Sequence, residues 1–222
     1  MGEFIDIYCE RTGPAFWAEP VNAVTNTAFL VAAVAAFYSA RQRRVFQFTP
    51  YLLILMIAVM GIGSFLFHTF ATRWAMLADV IPIMLFQLVF IYAYARHVMR
   101  SKYQDLLGIY AIFAILVLLF GRLPGDWLNG SLSYAPALIV LLCLGFWHVR
   151  NARAARWSLP AAALVFVISI TFRSIDMAIC PVFDAGTHFL WHILNAVVLY
   201  LSVYAVLMNV PVRRATRLDV EV

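Results

Sequence analysis

The chain has 222 residues, of which 64% are hydrophobic and only 12% are charged, and its mean hydropathy is +0.88. A water-soluble domain normally carries about 25% charged residues, so the composition excludes a soluble globular protein and indicates one that crosses a membrane several times. The net charge of +5 does not call for a nucleic-acid partner, because the basic residues fall in short clusters between apolar runs, as the positive-inside rule predicts.

Seven apolar stretches are long enough to cross a bilayer, which takes about 20 residues per helix. They cover approximately residues 20–39, 49–70, 74–95, 105–121, 132–149, 158–175 and 186–208. The connections between them are too short for a soluble domain. The sequence therefore predicts an all-α membrane protein, with seven transmembrane helices in a single domain over residues 1–222. An N-terminal segment (1–19) precedes the helices and a basic tail (209–222) follows them.

The orientation of the helices follows from the distribution of Lys and Arg. Twelve of them fall on one side: Arg41, Arg43, Arg44, Arg96, Arg100, Lys102, Arg150, Arg153, Arg156, Arg213, Arg214 and Arg217. Four fall on the other side: Arg11, Arg73, Arg122 and Arg173. This asymmetry predicts that the N-terminus lies outside and the C-terminus in the cytoplasm. Cys9 and Cys180 both fall on the outer side, which permits a disulfide between them.

Polar residues converge at one depth in the outer half of the predicted bundle. Ser64 and His68 lie near the outer end of the second span, and Asp79 lies one to two turns into the third. His188 and His192 occupy the first two turns of the seventh span. Ionisable groups at membrane depth are costly, so each of them is a functional hypothesis.

The histidines of this set have the spacing of metal ligands. His188 and His192 share one helix face, as two imidazoles must to bind one ion. Taken alone, that pair also fits a structural role, in which both histidines are hydrogen-bonded to the backbone or line a polar seam. His68, however, adds a third nitrogen at matching depth. Three protein ligands with one open position form a catalytic zinc arrangement, so we predict a zinc site here. His97 and His148, at the cytoplasmic helix ends, are interpreted as interfacial residues.

The N-terminal segment is acidic. Asp6, Glu10 and Glu19 lie within 14 residues of one another, on the predicted outer side. Clustered carboxylates with nearby carbonyls suit a hard cation such as calcium. The alternative is a solvated acidic segment that merely follows the charge asymmetry, and the spacing does not decide between the two.

The first predicted span also begins with polar residues. Asn22, Thr25 and Asn26 stand at positions i, i+3 and i+4, which lie on one face of a helix. Such a face can hydrogen-bond a neighbouring helix inside a membrane.

Taken together, these motifs resemble the alkaline ceramidase family over most of the chain. The markers, in chain order, are "YCE" (8–10), "EPVNAVTN" (19–26), Ser64-x3-His68, the eleven-residue step to Asp79, and His188-x3-His192. The resemblance implies a zinc site formed by the three histidines, with the serine and the aspartate beside it. It also implies hydrolysis of the amide bond of ceramide or a related N-acyl lipid to a fatty acid and a sphingoid base.

The chemistry assigns a role to each residue of this set. Zinc would lower the pKa of a bound water towards 7. Asp79 would accept the proton of that water and pass it to the leaving amine, and Ser64 would donate a hydrogen bond to the tetrahedral oxyanion. The partner is a membrane lipid entering laterally between helices, and we predict no nucleic-acid or protein partner.

The resemblance extends less completely to a calcium site. Glu10 and Glu19 align with the family's ligands, and Tyr8 stands where the family has a tryptophan. Asp6 is one position away from the expected aspartate, and Thr12 replaces an asparagine ligand. Calcium is therefore a second candidate metal, with Asp6, Glu10 and Glu19 as its candidate ligands.

Two alternative functions stay open on the sequence. One is a zinc-dependent hydrolase of phospholipid esters, because the same chemistry serves an ester. The other is a seven-helix receptor or transporter with a structural metal, although the polar residues lie on one side and leave no polar route across the membrane. The short loops and tail resemble a bacterial member of the family, so the expected location is the bacterial inner membrane.

Overall fold

The computed structural model describes residues 4–212 of the chain as a bundle of helices, with no strand among those residues. Seven of the described helices are long and apolar enough to cross a membrane: Pro20–Gln42, Phe48–Phe70, Arg73–Met99, Tyr103–Phe120, Trp127–Arg150, Ser158–Ile179 and His188–Leu207. The fold class and the position of every predicted span are thus confirmed. Arg213, Arg214 and Arg217 of the predicted basic tail lie outside the described residues, and the orientation in the membrane stays a prediction.

Several spans are not single regular helices. The first consists of α1 (Pro20–Thr25) and α2 (Thr27–Gln42), which meet at Asn26. Near this junction the Thr25 and Thr27 hydroxyls donate to backbone carbonyls of the preceding turn, at 2.8 Å from Val21 O and 2.8 Å from Val24 O. Such bonds compete with the regular helix and bend it.

Two other spans carry short irregular helices at one end. The third is α4 (Arg73–Ala93), which continues as a π-helix (Tyr94–Met99). The fifth begins with a 3-10 helix (Trp127–Tyr134) before α6 (Ala135–Arg150). The regular spans are α3 (Phe48–Phe70), α5 (Tyr103–Phe120), α7 (Ser158–Ile179) and α8 (His188–Leu207).

Helices α3 and α4 approach each other closely at Gly63. A Cβ atom at this position would lie 2.0 Å from the backbone oxygen of Ala78, so no larger residue fits without moving a helix. A short connection through Ala71, which adopts a left-handed conformation (φ 47°), reverses the chain between the two helices. This contact brings Ser64, one residue after the glycine, beside Asp79, one residue after the alanine.

Helix α8 lies in the centre of the bundle, against α2, α3 and α7, whereas α5 lies at the periphery. The apolar core is concentrated at the end of the bundle away from the N-terminal segment. Its fully buried residues include Leu53, Ile57, Leu159 and Leu207. In a bilayer, close packing rather than water exclusion holds helices together. The well-packed core therefore fixes the central helix, whose other end carries two of the predicted metal ligands.

Candidate metal centre

The N-terminal segment (residues 4–19) folds across the ends of the helices at one end of the bundle. Cys9 forms a disulfide with Cys180, which immediately follows α7, so the pairing that the topology permits is formed. The backbone N–H of Cys9 also donates to Asp176 Oδ2 at 3.0 Å, and that of Ile5 donates to Ala71 O at 2.8 Å. The segment thus covers the end of the bundle to which the sequence assigns its site.

His68, His188 and His192 come together beneath this segment. Each is only 1% exposed, and one ligand nitrogen from each lies within 4.8 Å of the other two. Among residues 4–212 this is the one group of three or more His, Cys, Asp or Glu side chains with that geometry. The structure therefore assembles the three histidines that the sequence selected.

The hydrogen bonds of the His68 and His192 rings leave one nitrogen of each for a metal. His68 Nδ1 lies 2.5 Å from Glu19 Oε2, and His192 Nδ1 lies 3.0 Å from Thr25 Oγ1. The Thr25 hydroxyl already donates to Val21 O, so it accepts from His192, whose Nε2 then carries a lone pair. His68 Nε2, His188 Nδ1 and His192 Nε2 are buried and lack a hydrogen-bond partner in the described part of the chain.

Unpaired buried polar atoms are costly, and three of them facing one another are explained by a shared ligand. Three neutral imidazole nitrogens are the donor set that suits zinc with an open fourth position. In metal centres of this kind, the second ring nitrogen normally donates to a carboxylate, carbonyl or hydroxyl that fixes the ring. Glu19 and Thr25 stand in that position, so the residues present fit a zinc ion.

Glu19 is a buried carboxylate (3% exposed) that orients His68. Besides the contact with His68, it accepts from Asn22 Nδ2 at 3.1 Å and forms a buried ion pair with Arg11. Burial alone would raise the pKa of Glu19, but the hydrogen bond with His68 and the positive charge of Arg11 outweigh it and hold that pKa below its usual range. Glu19 is thus ionised and accepts a hydrogen bond from His68.

A second carboxylate fixes the start of α8 and with it His188. Asp176 is fully buried, and its Oδ1 accepts the backbone N–H groups of Thr187 at 2.7 Å and His188 at 2.9 Å. These are unpaired donors at a helix N-terminus, where a negative charge is favoured. On the other side, the Tyr8 ring stacks on the His188 ring with centroids 3.7 Å apart.

Ser64 and Asp79 lie in the wall of the cavity that also reaches His192. The Ser64 side chain is 5% exposed, and it adjoins Asp79 because the backbone of Gly63 lies against that of Ala78. The structure therefore places both residues beside the histidine cluster. Their catalytic roles stay proposals.

The cavity is apolar along most of its length and runs between α3, α4, α6, α7 and α8. Below His192 it is bounded by Phe86, Leu141, Phe166 and Val198, and it extends as far as Ser202. The ten residues from His192 to Ser202 correspond to about 15 Å along a helix. The apolar lining along this length suits the hydrocarbon chain of a lipid.

The residues assigned to calcium do not converge in this way. Asp6 is exposed, and both oxygens of Glu10 accept backbone N–H groups at the start of α1, 2.6 Å from Val21 N and 2.8 Å from Asn22 N. Glu19 is engaged by Arg11, His68 and Asn22, and Thr12 is exposed. The arrangement of these carboxylates gives no support to a calcium site.

The other two histidines lie at the opposite end of the bundle, as expected. His148 is fully buried there, with Nδ1 2.6 Å from the Tyr94 hydroxyl and Nε2 3.0 Å from Ala154 O. These contacts satisfy both ring nitrogens, so His148 supports the packing of helix ends.

Sequence reasoning missed several residues that hold the site. From the sequence, Arg11 and Arg173 are treated only as charges on the outer side and Asp176 is not singled out, although all three are buried. A signal was present for the last two, because both stand in or next to an apolar span where a charge is costly. No comparable signal marks Arg11, whose partners lie 8 and 57 residues away.

Seven membrane-length helices, a buried three-histidine cluster at one end of the bundle and an apolar cavity leading away from it define a multi-pass membrane protein with a candidate metal centre. The family model described as Ceramidase matches residues 8–217, which is nearly the whole chain. The chain belongs to the ceramidase family. Membership supports hydrolysis of the amide bond of ceramide in general. A search of curated proteins gave no match.

Proposed function

We propose that the protein is a zinc-dependent amidase that hydrolyses ceramide or a related N-acyl lipid to a fatty acid and a sphingoid base. The observation that carries the proposal is the convergence of three unpaired histidine nitrogens beside Ser64 and Asp79, at the end of an apolar cavity. A zinc ion bound by His68, His188 and His192 would supply a water ligand of lowered pKa and a positive charge near the scissile carbonyl.

Two residues beside the metal would carry out the proton transfer and stabilise the oxyanion. Asp79 accepts a proton from the attacking water and returns it to the amine, which must be protonated to leave. Ser64 donates a hydrogen bond to the carbonyl oxygen as negative charge develops on it. Ser64 and Asp79 line the same cavity, so the proton acceptor and the oxyanion donor both lie beside the place where the amide would bind.

The cavity supports a lipid substrate with its acyl chain inside the bundle. Its walls are apolar side chains, and its polar end is the site itself. The amide then lies at the histidine cluster and the sphingoid part extends towards the N-terminal segment. The distribution of Lys and Arg puts this end of the bundle on the non-cytoplasmic side, and we propose the bacterial inner membrane as the location.

Elemental analysis of the detergent-purified protein tests the metal, beside a His188→Ala/His192→Ala variant. Each preparation is then given a fluorescent N-acylsphingosine. We expect one zinc per wild-type chain, none in the variant, and release of fatty acid by wild type alone. A wild-type protein that stays folded but takes up no added zinc would refute the proposal.

The Asp79→Asn variant tests whether zinc binding and proton transfer depend on different residues. We expect it to retain zinc and to lose turnover by about 10²–10⁴-fold, whereas Asp126→Asn, at an exposed position, retains both. Wild-type protein that binds zinc and cleaves phospholipid esters but not the amide would replace the proposed substrate by an ester.

A further inference from the structure

We propose that the guanidinium group of Arg11 is the fixed cation of the acidic N-terminal segment, and that it holds Glu19 and His68 in place without calcium. The inference rests on the proposed function in one respect, that His68 is a metal ligand. It differs from what the family resemblance implies, because it assigns to a side chain of this protein the position of a bound ion.

Arg11 is held by each of its three guanidinium nitrogens. Its side chain has no exposed surface; Nε pairs with Glu19 Oε1, one terminal nitrogen donates to Gly13 O at 2.9 Å, and the other donates to His68 O at 2.8 Å. A planar group bound at three points has a single orientation. Arg11 therefore ties the N-terminal segment to the end of α3.

The same guanidinium controls His68 from two directions. It binds the backbone carbonyl of His68 directly, and it neutralises the carboxylate that orients the His68 ring. A buried carboxylate needs a counter-charge, and no exposed face of Glu19 remains for one from solvent. Without Arg11, nothing would hold Glu19 Oε1 in place, and His68 Nδ1 would lose its fixed acceptor.

A calcium ion does not fit beside this pair. Calcium takes six to eight oxygen ligands, but both oxygens of Glu19 and both of Glu10 are already engaged, and Asp6 is exposed. A divalent ion next to Glu19 would also face the positive charge of Arg11. The guanidinium group of Arg11 therefore provides the positive charge that balances Glu19.

The test compares wild type, Arg11→Met and the control Arg122→Met, which removes an exposed arginine. Zinc affinity is measured by competition with a chromogenic chelator, and the thermal midpoint is measured with and without added calcium chloride. We expect calcium to change neither quantity in wild type or the control. We expect Arg11→Met to bind zinc about 10–100-fold more weakly, as on loss of a ligand-orienting contact.

Coupling to Glu19 distinguishes positioning from a general loss of stability. If Arg11 acts through Glu19, Arg11→Met/Glu19→Gln binds zinc no more weakly than Glu19→Gln alone. Fully additive losses would overturn the proposal, as would a calcium-dependent rise in the thermal midpoint or zinc affinity of wild type. The calcium measurement needs no variant, so it decides even where Arg11→Met does not fold. Wild type that binds no zinc refutes the proposed function instead, because the thermal midpoint still reports on calcium.

Discussion

The Asp176 carboxylate accepts the backbone N–H of His188 at 2.9 Å, so a buried acid on α7 fixes the residue at which α8 begins. The same side chain also holds the N-terminal segment through Cys9 N. Two of the three candidate metal ligands lie in the first two turns of α8. The position of the metal centre therefore depends on a residue that touches neither metal nor substrate.

Asp176→Asn should weaken the metal centre while preserving the shape of the side chain. One carboxylate oxygen becomes an NH₂ group, which must face an N–H group, and hydrogen bonds to a charged acceptor contribute about 1.5–3 kcal/mol each. We expect a lower thermal midpoint and weaker zinc binding. Asp184→Asn is the matched control, because Asp184 is exposed in the loop between α7 and α8. Zinc binding equal to wild type in Asp176→Asn would limit this residue to general packing.

The hydroxyl of Thr25 should matter for zinc and not for folding. Thr25→Val keeps the shape of the side chain but removes the acceptor 3.0 Å from His192 Nδ1. Loss of such a contact typically weakens metal binding by about 10–100-fold, which a chelator competition measures. Thr27→Val removes an exposed hydroxyl that bonds only the backbone carbonyl of Val24, in the preceding helix α1. Equal zinc affinities in the two variants would contradict an orienting role for Thr25.

Gly63→Ala should separate the catalytic pair from the metal. The added Cβ would lie 2.0 Å from Ala78 O, so α4 must move and carry Asp79 away from Ser64. Helix α4 supplies none of the three histidines, so we expect zinc to stay bound. A displacement of about 1 Å can lower a rate about 10²-fold, and we expect a loss of that size in amide hydrolysis.

Gly108→Ala provides the comparison, because open space surrounds that position in α5. It should retain full activity. Unchanged hydrolysis in Gly63→Ala would mean that the distance between Ser64 and Asp79 is not critical.

The helices and the histidine cluster could be predicted from sequence because both follow local rules. Membrane spans follow from length and hydropathy, and His188 and His192 share a face because of helical periodicity. His68 was placed by counting turns from the predicted end of its span. These inferences need no knowledge of how the helices pack.

The support around the cluster could not be predicted, because it depends on contacts between distant residues. Arg11 reaches His68 across 57 positions, and Asp176 reaches Cys9 across 167. The interpretation of Glu10 and Glu19 as calcium ligands relied on their closeness in sequence. In the fold Glu10 caps α1 while Glu19 contacts His68, so carboxylates that are close in the sequence bind different neighbours.

The cavity predicts that one substitution will change the length of acyl chain that the protein accepts. Val198 lines the cavity six residues beyond His192, about 9 Å further along the helix. Val198→Phe should therefore block long chains while leaving room for short ones. Val197→Phe adds the same ring one residue earlier, at a position 41% exposed on the outside of the bundle.

Turnover of N-acylsphingosines with short and long acyl chains measures the effect. We expect Val198→Phe to lose the long substrate selectively and Val197→Phe to cleave both. Equal loss of both substrates in Val198→Phe would mean that the acyl chain does not occupy this cavity.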